Sequence, residues 1–272
     1  MAQRFHKMHG LGNDFVVFDA RQDAVAITPA RAQAIADRHM GIGCDQLIVV
    51  ERSSIADARM RIWNPDGSEV EACGNATRCV ATLLGGAPSI ETLGGILSSA
   101  ATAGGASVDM GAPRFDWDSV PLAYAMDTAA LPLAWDGLYP IAPPIALSIG
   151  NPHVVFFVRD IDALDLAAIG PAIEHDPVFP ERVNVSVATI ESSARIRLRV
   201  WERGAGLTLA CGTGACATAV AAIRAGRAES GVTVALPGGD LVIDWRPGGT
   251  IRMTGPATHV FSGDLDLDAF PA

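Results

Sequence analysis

The stretch Ala72-Cys73-Gly74-Asn75 reappears 138 residues further on as Ala210-Cys211-Gly212-Thr213. The same shift carries Gly12-Asn13 onto Gly150-Asn151 and Val16-Val17-Phe18 onto Val154-Val155-Phe156. It also carries Arg59, Arg61 and Trp63 onto Arg197, Arg199 and Trp201 without a gap. Chance rarely keeps such register, so the chain reads as an internal duplication. Past this motif Gly94-Gly95 answers Gly238-Gly239 and Gly111 answers Gly255, each at a shift of 144, which places a small insertion in the second half.

Each half reads in the same order. A strand follows Gly-Asn (15–19; 153–158), then a helical pattern (29–40; 163–175), then an alternating strand (59–63; 195–201) and a turn into Cys-Gly. The stretches after Cys-Gly, 75–84 and 213–225, are apolar on nearly all sides, which predicts buried helices closed by Gly85-Gly86 and Gly226. Gly94-Gly95 and Gly238-Gly239 predict a hairpin at the end of each half. The Pro- and Ala-rich stretch 120–145 predicts the seam between halves.

With 272 residues, 49% hydrophobic and 18% charged, the chain has the composition of an ordinary globular protein. A formal charge of −10 and the lack of a dense Lys/Arg patch argue against a nucleic-acid surface and for small-molecule partners. No apolar run approaches the roughly 20 residues of a membrane span. Met1-Ala2-Gln3-Arg4-Phe5-His6-Lys7 has no apolar signal core, so a cytoplasmic location without membrane contact is expected. Cys44, Cys73, Cys79, Cys211 and Cys216 form an odd set, for which free thiols are expected. Their spacing resembles no usual zinc knuckle, so no metal is expected.

Duplicated units usually pack about a pseudo-twofold axis, which predicts Cys73 and Cys211 at paired helix N-termini across one cleft. A helix N-terminus lowers a thiol pKa and binds an anion. With a substrate carboxylate between the helix ends, the amides of Gly74, Asn75, Gly212 and Thr213 stabilise charge as the α-carbon loses a proton. One cysteine, as thiolate, removes that proton, and the other, as thiol, delivers one to the opposite face. Neither pyridoxal phosphate nor any other cofactor is needed. Cys44, Cys79 and Cys216 have no in-register partner and read as packing residues.

Where the repeat breaks, the second half gains polar groups: Phe15 answers His153, Asn64 answers Glu202 and Pro65 answers Arg203. Arg203 suits a distant carboxylate and Glu202 an ammonium. Read alone, Glu202-Arg203-Gly204-Ala205-Gly206 also fits a solvated turn, and a lone His153 fits a structural histidine.

The segments Lys7-Met8-His9-Gly10-Leu11-Gly12-Asn13-Asp14-Phe15, Asp45-Gln46, Trp63-Asn64-Pro65-Asp66-Gly67-Ser68-Glu69, Ala72-Cys73-Gly74-Asn75 and Gly150-Asn151-Pro152-His153 join Glu181-Arg182-Val183-Asn184, Glu202-Arg203-Gly204-Ala205-Gly206 and Ala210-Cys211-Gly212-Thr213-Gly214. Together they resemble the diaminopimelate epimerase family over nearly the whole chain. The resemblance implies an isomerase that interconverts LL- and meso-2,6-diaminopimelate without pyridoxal phosphate, on the way to lysine and peptidoglycan. It implies Cys73 and Cys211 as the acid–base pair, with Gly74, Asn75, Gly212 and Thr213 on the reacting carboxylate. Asn13 and Gln46 are implied near the reacting amino group. Asn64, Asn151, Asn184, Glu202 and Arg203 are implied at the distal head, and His153 and Glu202 as tuners of thiol pKa. The implied fold class is α/β (α+β), with two pseudo-symmetric domains, each a curved, mainly antiparallel sheet or barrel around a central helix. The expected bounds are 1–118, with the tail 263–272 returning to that domain, and 119–262. A homodimer is also implied. Ala76 departs from the family pattern, which has glycine there, as Gly214 still is in the second half. A proline or hydroxyproline racemase would use the same cysteine pair, and Asn64, Asn184, Glu202 and Arg203 weigh against it.

Overall fold

The computed structural model describes residues 2–71 and 73–271, so Ala72 of the first cysteine motif lies outside the described residues. The chain divides into two compact units, Met1–Asp109 with Thr254–Ala272, and Met110–Met253.

The first unit opens with β1 (Ala2–Gly10) and β2 (Asn13–Asp19), joined by a tight turn in which Leu11 and Gly12 both take positive φ. Parallel strands need a crossover, and α1 (Pro29–Ala36) supplies it between β2 and β3 (Gln46–Glu51), which pair from Phe15↔Gln46 to Asp19↔Val50. Strand β4 (Ala58–Trp63) runs antiparallel to β3, pairs with the short β5 (Glu69–Val70), and leads to α2 (Gly74–Leu84). Then β6 (Ser89–Thr92) and β7 (Gly95–Thr102) form the expected Gly-Gly hairpin, with β8 (Gly105–Asp109) antiparallel to β7. The residues Asn75 to Ala81 of α2 are all buried, and the apolar ones pack with Met8, Phe15, Ile48, Ile62 and Ile90. A helix apolar all round must be enclosed, and here strands of the sheet enclose it.

The second unit repeats the order. Strands β9 (Ile145–Ser148) and β10 (Pro152–Phe157) are antiparallel, α3 (Leu166–Glu174) crosses to β11 (Asn184–Ser192), and β10 and β11 pair in parallel from His153↔Asn184. Strands β12 (Arg195–Glu202) and β13 (Gly206–Leu207) precede α4 (Gly212–Arg224), whose residues from Gly214 to Ala222 are all buried. Strands β14 (Val232–Leu236) and β15 (Gly239–Asp244) form the second hairpin. The chain returns to the first unit along β16 (Arg252–Pro256) and ends with β17 (Thr258–Asp266), antiparallel to β1 from Ala2↔Asp266 to His9↔Thr258. The fold is thus mixed α/β, dominated by mainly antiparallel sheet. Among the described residues no helix is long and apolar enough to cross a membrane, and none of the five cysteines is in a disulfide.

Three expectations change. The first helix ends at Ala36, short of Met40, because the Asp37 carboxylate accepts from the N–H groups of His39 and Met40 at 2.7 Å each and folds the chain back. The helix expected from 163 begins at Leu166, where Asp165 caps the N–H groups of Ala167 and Ala168. The stretch 120–145 is not a seam. Its Val120, Leu122, Leu131 and Leu138 are buried in one cluster with Phe156, Ile173 and Val185, and Trp135 Nε1 donates to Asp176 at 2.8 Å. Prolines bar a regular ladder there, but the apolar side chains still find the core. The boundaries between the units accordingly fall at Asp109/Met110 and Met253/Thr254, earlier than 118/119 and 262/263.

Candidate active site

In the first unit Cys73 is the N-cap of α2, with extended φ −146° and ψ 114°. Its thiol Sγ lies 3.8 Å from Asn13 Oδ1, which also accepts from Asn75 Nδ2 at 3.1 Å. The other end of the Asn13 amide donates to Asp45 Oδ2 at 2.9 Å. Asp45 in turn receives Arg38 at 2.7 Å and the backbone N–H of Asp14 at 3.0 Å. Asp14 binds Arg38 and Lys7. Burial pushes the Asp14 carboxyl up, but the two cations outweigh it and hold it at about 2. Gln46 and Asn64 form a second pair, Gln46 Nε2 donating to Asn64 Oδ1 at 3.1 Å. Arg78 is fully buried and donates to Asn75 Oδ1 at 2.9 Å, so the Asn75 amide is held at both ends.

In the second unit Cys211 is the N-cap of α4, also extended at φ −113° and ψ 106°, and Gly214 N–H donates to its sulfur at 3.4 Å. Glu202 lies beside it and takes a hydrogen bond from the Thr208 hydroxyl. Burial foremost, then the Glu202 charge, push the Cys211 thiol well above the usual thiol range. This overturns, at Cys211, the lowered pKa that a helix end alone would give. The pull of the Gly214 N–H and the Thr213 hydroxyl is the smaller effect. Burial likewise raises the Glu202 carboxyl. Asn151 donates to Thr213 Oγ1 at 3.3 Å and shares a 2.9 Å bond with His153 Nε2. His153 is fully buried, and burial, reinforced by Arg203, lowers its pKa to about 3, so the ring is neutral. A neutral ring can donate to the Asn151 carbonyl oxygen through Nε2–H. Asn184 donates to Pro152 O at 2.9 Å and accepts from Arg203 N–H at 3.0 Å, fixing the turn that carries Glu202 and Arg203.

The expected residues therefore gather as Asn13, Cys73 and Asn75 beside Gln46 with Asn64 in one unit. In the other they gather as Cys211, Glu202, Thr213, Asn151 and His153 beside Asn184 with Arg203. The first-turn amides of Gly74, Asn75, Gly212 and Thr213 belong to the helix ends that the cysteines cap, where N–H groups have no intrahelical acceptor. His153 reaches the helix end through Asn151. Cys44 and Cys79 are core residues whose thiols burial raises to about 12. Sequence reasoning missed Lys7, Asp14, Arg38 and Asp45 behind Asn13, although three of the four stood in quoted motifs. It also missed Thr208 and Glu174 around the Glu202–Arg203 turn. Ala76 is fully buried in the core around α2, so its methyl packs inward.

The diaminopimelate epimerase family model matches residues 5–115 and 145–260. The chain is 65% identical to the diaminopimelate epimerase of Rhizorhabdus wittichii, over 100% of this chain and 98% of that protein. It is 63% identical to that of Sphingopyxis alaskensis, over 99% of this chain and 100% of that protein. Among solved structures, a phenazine biosynthesis protein of the PhzF family from Bacillus anthracis superposes with a TM-score of 0.69 at 18% identity, covering 97% of this chain and 99% of that one, a likeness of fold. Duplicated sheets, a cysteine capping each enclosed helix and these matches lead to one conclusion: the chain belongs to the diaminopimelate epimerase family.

Proposed function

We propose that this protein interconverts LL- and meso-2,6-diaminopimelate by a cofactor-independent two-base reaction in which Cys73 and Cys211 act on opposite faces of one α-carbon. The observation that carries this reading is that both enclosed helices begin on a cysteine in extended conformation. Each sulfur thereby sits at a helix end whose first-turn amides suit a carboxylate. The amides of Gly74, Asn75, Gly212 and Thr213 hold the reacting carboxylate and stabilise charge as it develops. One thiolate takes the α-proton, the other thiol gives its proton to the opposite face, and the two sulfurs exchange protonation states. Burial and Glu202 favour the thiol form of Cys211.

Asn13 and Gln46 serve the reacting amino group, and Asn64, Asn151, Asn184, Glu202 and Arg203 serve the distal amino-acid head. A guanidinium can take a carboxylate in two parallel bonds and a carboxylate can take an ammonium, which suits a distal head that carries both groups. Glu202 and His153 also tune the thiols, Glu202 by contact and His153 through Asn151. The reading places a homodimeric enzyme in the cytoplasm, acting on a small molecule with no nucleic-acid or membrane partner. Sedimentation of the purified protein tests the dimer.

The reaction is tested by proton NMR of LL-diaminopimelate in deuterium oxide with reduced wild type, Cys73→Ala and Cys211→Ala. The α-proton signal is expected to vanish as the meso isomer grows in with wild type, and in neither variant. Wild type that exchanges no α-proton overturns the reading and directs the search to proline-type substrates.

A further inference from the structure

Helix α3 carries a buried acid that the reaction does not use. Glu174, its last residue, is 2% exposed, yet the carboxylate is fully engaged. Trp201 Nε1 donates to Oε2 at 2.7 Å, Gly204 N–H donates to Oε1 at 2.9 Å, and Arg182 lies 3.8 Å away. Both strong donors flank Glu202 and Arg203, one on each side. One helical turn earlier, Gly170 leaves the space that Trp201 fills, since a Cβ there would lie 2.6 Å from the indole. Residues four apart share a helix face, so Gly170 and Glu174 form one seat, apolar at one end and charged at the other, for Trp201 and the turn after it.

The repeat isolates this device. At the shift of 138, Glu174 answers Ala36, although Trp201 answers Trp63. The tryptophan is common to both halves, and the acid belongs only to the half that has gained Glu202 and Arg203. A tryptophan needs no carboxylate to pack, so the acid answers to the turn. Asn184 Oδ1 holds the neighbouring Arg203 N–H at 3.0 Å, which leaves the Arg203–Gly204 backbone fixed by two acceptors.

We infer that Glu174 is a positioning residue for the distal amino-acid head, presetting the Glu202–Gly204 turn so that Arg203 and Glu202 meet substrate already in place. The inference rests on the distal-anchor role given above to Arg203. Glutamine at 174 keeps the shape, but its amide nitrogen faces a donor N–H, which leaves one buried donor unsatisfied. Loss of a buried hydrogen-bond partner of this kind costs binding by roughly tenfold.

The test is a double-mutant cycle on the full-length enzyme, with wild type, Glu174→Gln, Arg203→Ala and the double variant assayed for KM and kcat on LL-diaminopimelate. Glu174→Gln is expected to raise KM about tenfold with kcat within about twofold. The double variant is expected to lie within about twofold of Arg203→Ala alone, because residues acting through one another do not add. Effects that multiply in full make Glu174 a structural residue only and overturn the inference. An Arg203→Ala variant with wild-type KM instead overturns the distal-anchor reading, and the inference with it. Should Glu174→Gln fail to fold, Glu174→Asp keeps the charge but withdraws the carboxylate by one methylene, and it is put through the same cycle with the same two criteria.

Discussion

Asn13 and Asn151 occupy equivalent positions of the repeat and present opposite ends of their amides to the helix beside them. Asn13 offers its oxygen, which accepts from Asn75 at 3.1 Å, whereas Asn151 offers its nitrogen, which donates to Thr213 at 3.3 Å. The cause lies one residue shell further out. Asp45, an acceptor, takes the Asn13 nitrogen, and His153 takes the Asn151 oxygen. Neither has a counterpart in the other half, where Val183 and Phe15 stand instead. A symmetric scaffold thus carries two helix ends of opposite hydrogen-bonding polarity.

His153 makes stability pH-dependent. Its pKa is about 3 in the fold against 6.5 ordinarily, so below pH 6.5 the unfolded chain binds the extra proton and stability falls as pH falls, until about pH 3. From about pH 6.5 to about pH 5 the loss is roughly 2 kcal/mol. Urea denaturation across that range is expected to show this slope in wild type and a flatter one in His153→Phe.

Asp14 acts in a more acidic window. Its carboxyl is held at about 2 against 3.8, so its contribution is present above pH 3.8 and is lost as pH falls toward 2. Asp14→Asn is expected to be less stable than wild type at neutral pH and to show a shallower acid limb between those values, as thermal melts in a pH series would reveal.

Glu202 raises the Cys211 thiol, its negative charge favouring the protonated sulfur. In a Cys73→Ala background, Glu202→Gln is expected to move the pH midpoint of Cys211 alkylation by iodoacetamide downward, read by mass spectrometry. An unchanged midpoint would leave burial as the whole cause.

The two first-turn positions Ala76 and Gly214 are expected to respond differently. A Cβ at Gly214 would lie 3.0 Å from Val200 Cγ2 and 3.2 Å from Cys211 Sγ, so Gly214→Ala should displace the sulfur, lower kcat and destabilise by about 1–3 kcal/mol. Ala76→Gly removes a core methyl and a helix former, costing about 1 kcal/mol, with kcat unchanged. Melting and steady-state assays of both variants check the contrast.

The cysteine-capped helices, the hairpins and the polar gains at His153, Glu202 and Arg203 were legible because duplication supplies an internal comparison, and asymmetry against that background is informative. Burial was not legible. The sequence showed Cys211 at a helix start, but whether dipole or desolvation governs its proton depends on the enclosing strands and on Glu202 alongside. Glu174 escaped because it sits thirty residues from Gly204 in the chain, and only the fold of α3 against β12 brings them together. The stretch 120–145 misled because proline and alanine mark linkers by frequency, while its leucines, spaced without period, still pack.

The pairing of β17 with β1 has a consequence for biosynthesis. Ala2 meets Asp266 and His9 meets Thr258, so β1 waits for β17 to be made, while the second unit is continuous from Met110 to Met253. Domains generally complete in the order in which they emerge. Here that order is reversed, and an edge of β1 stays open to foreign strands until β17 has been made, the interval in which a nascent chain most needs a chaperone.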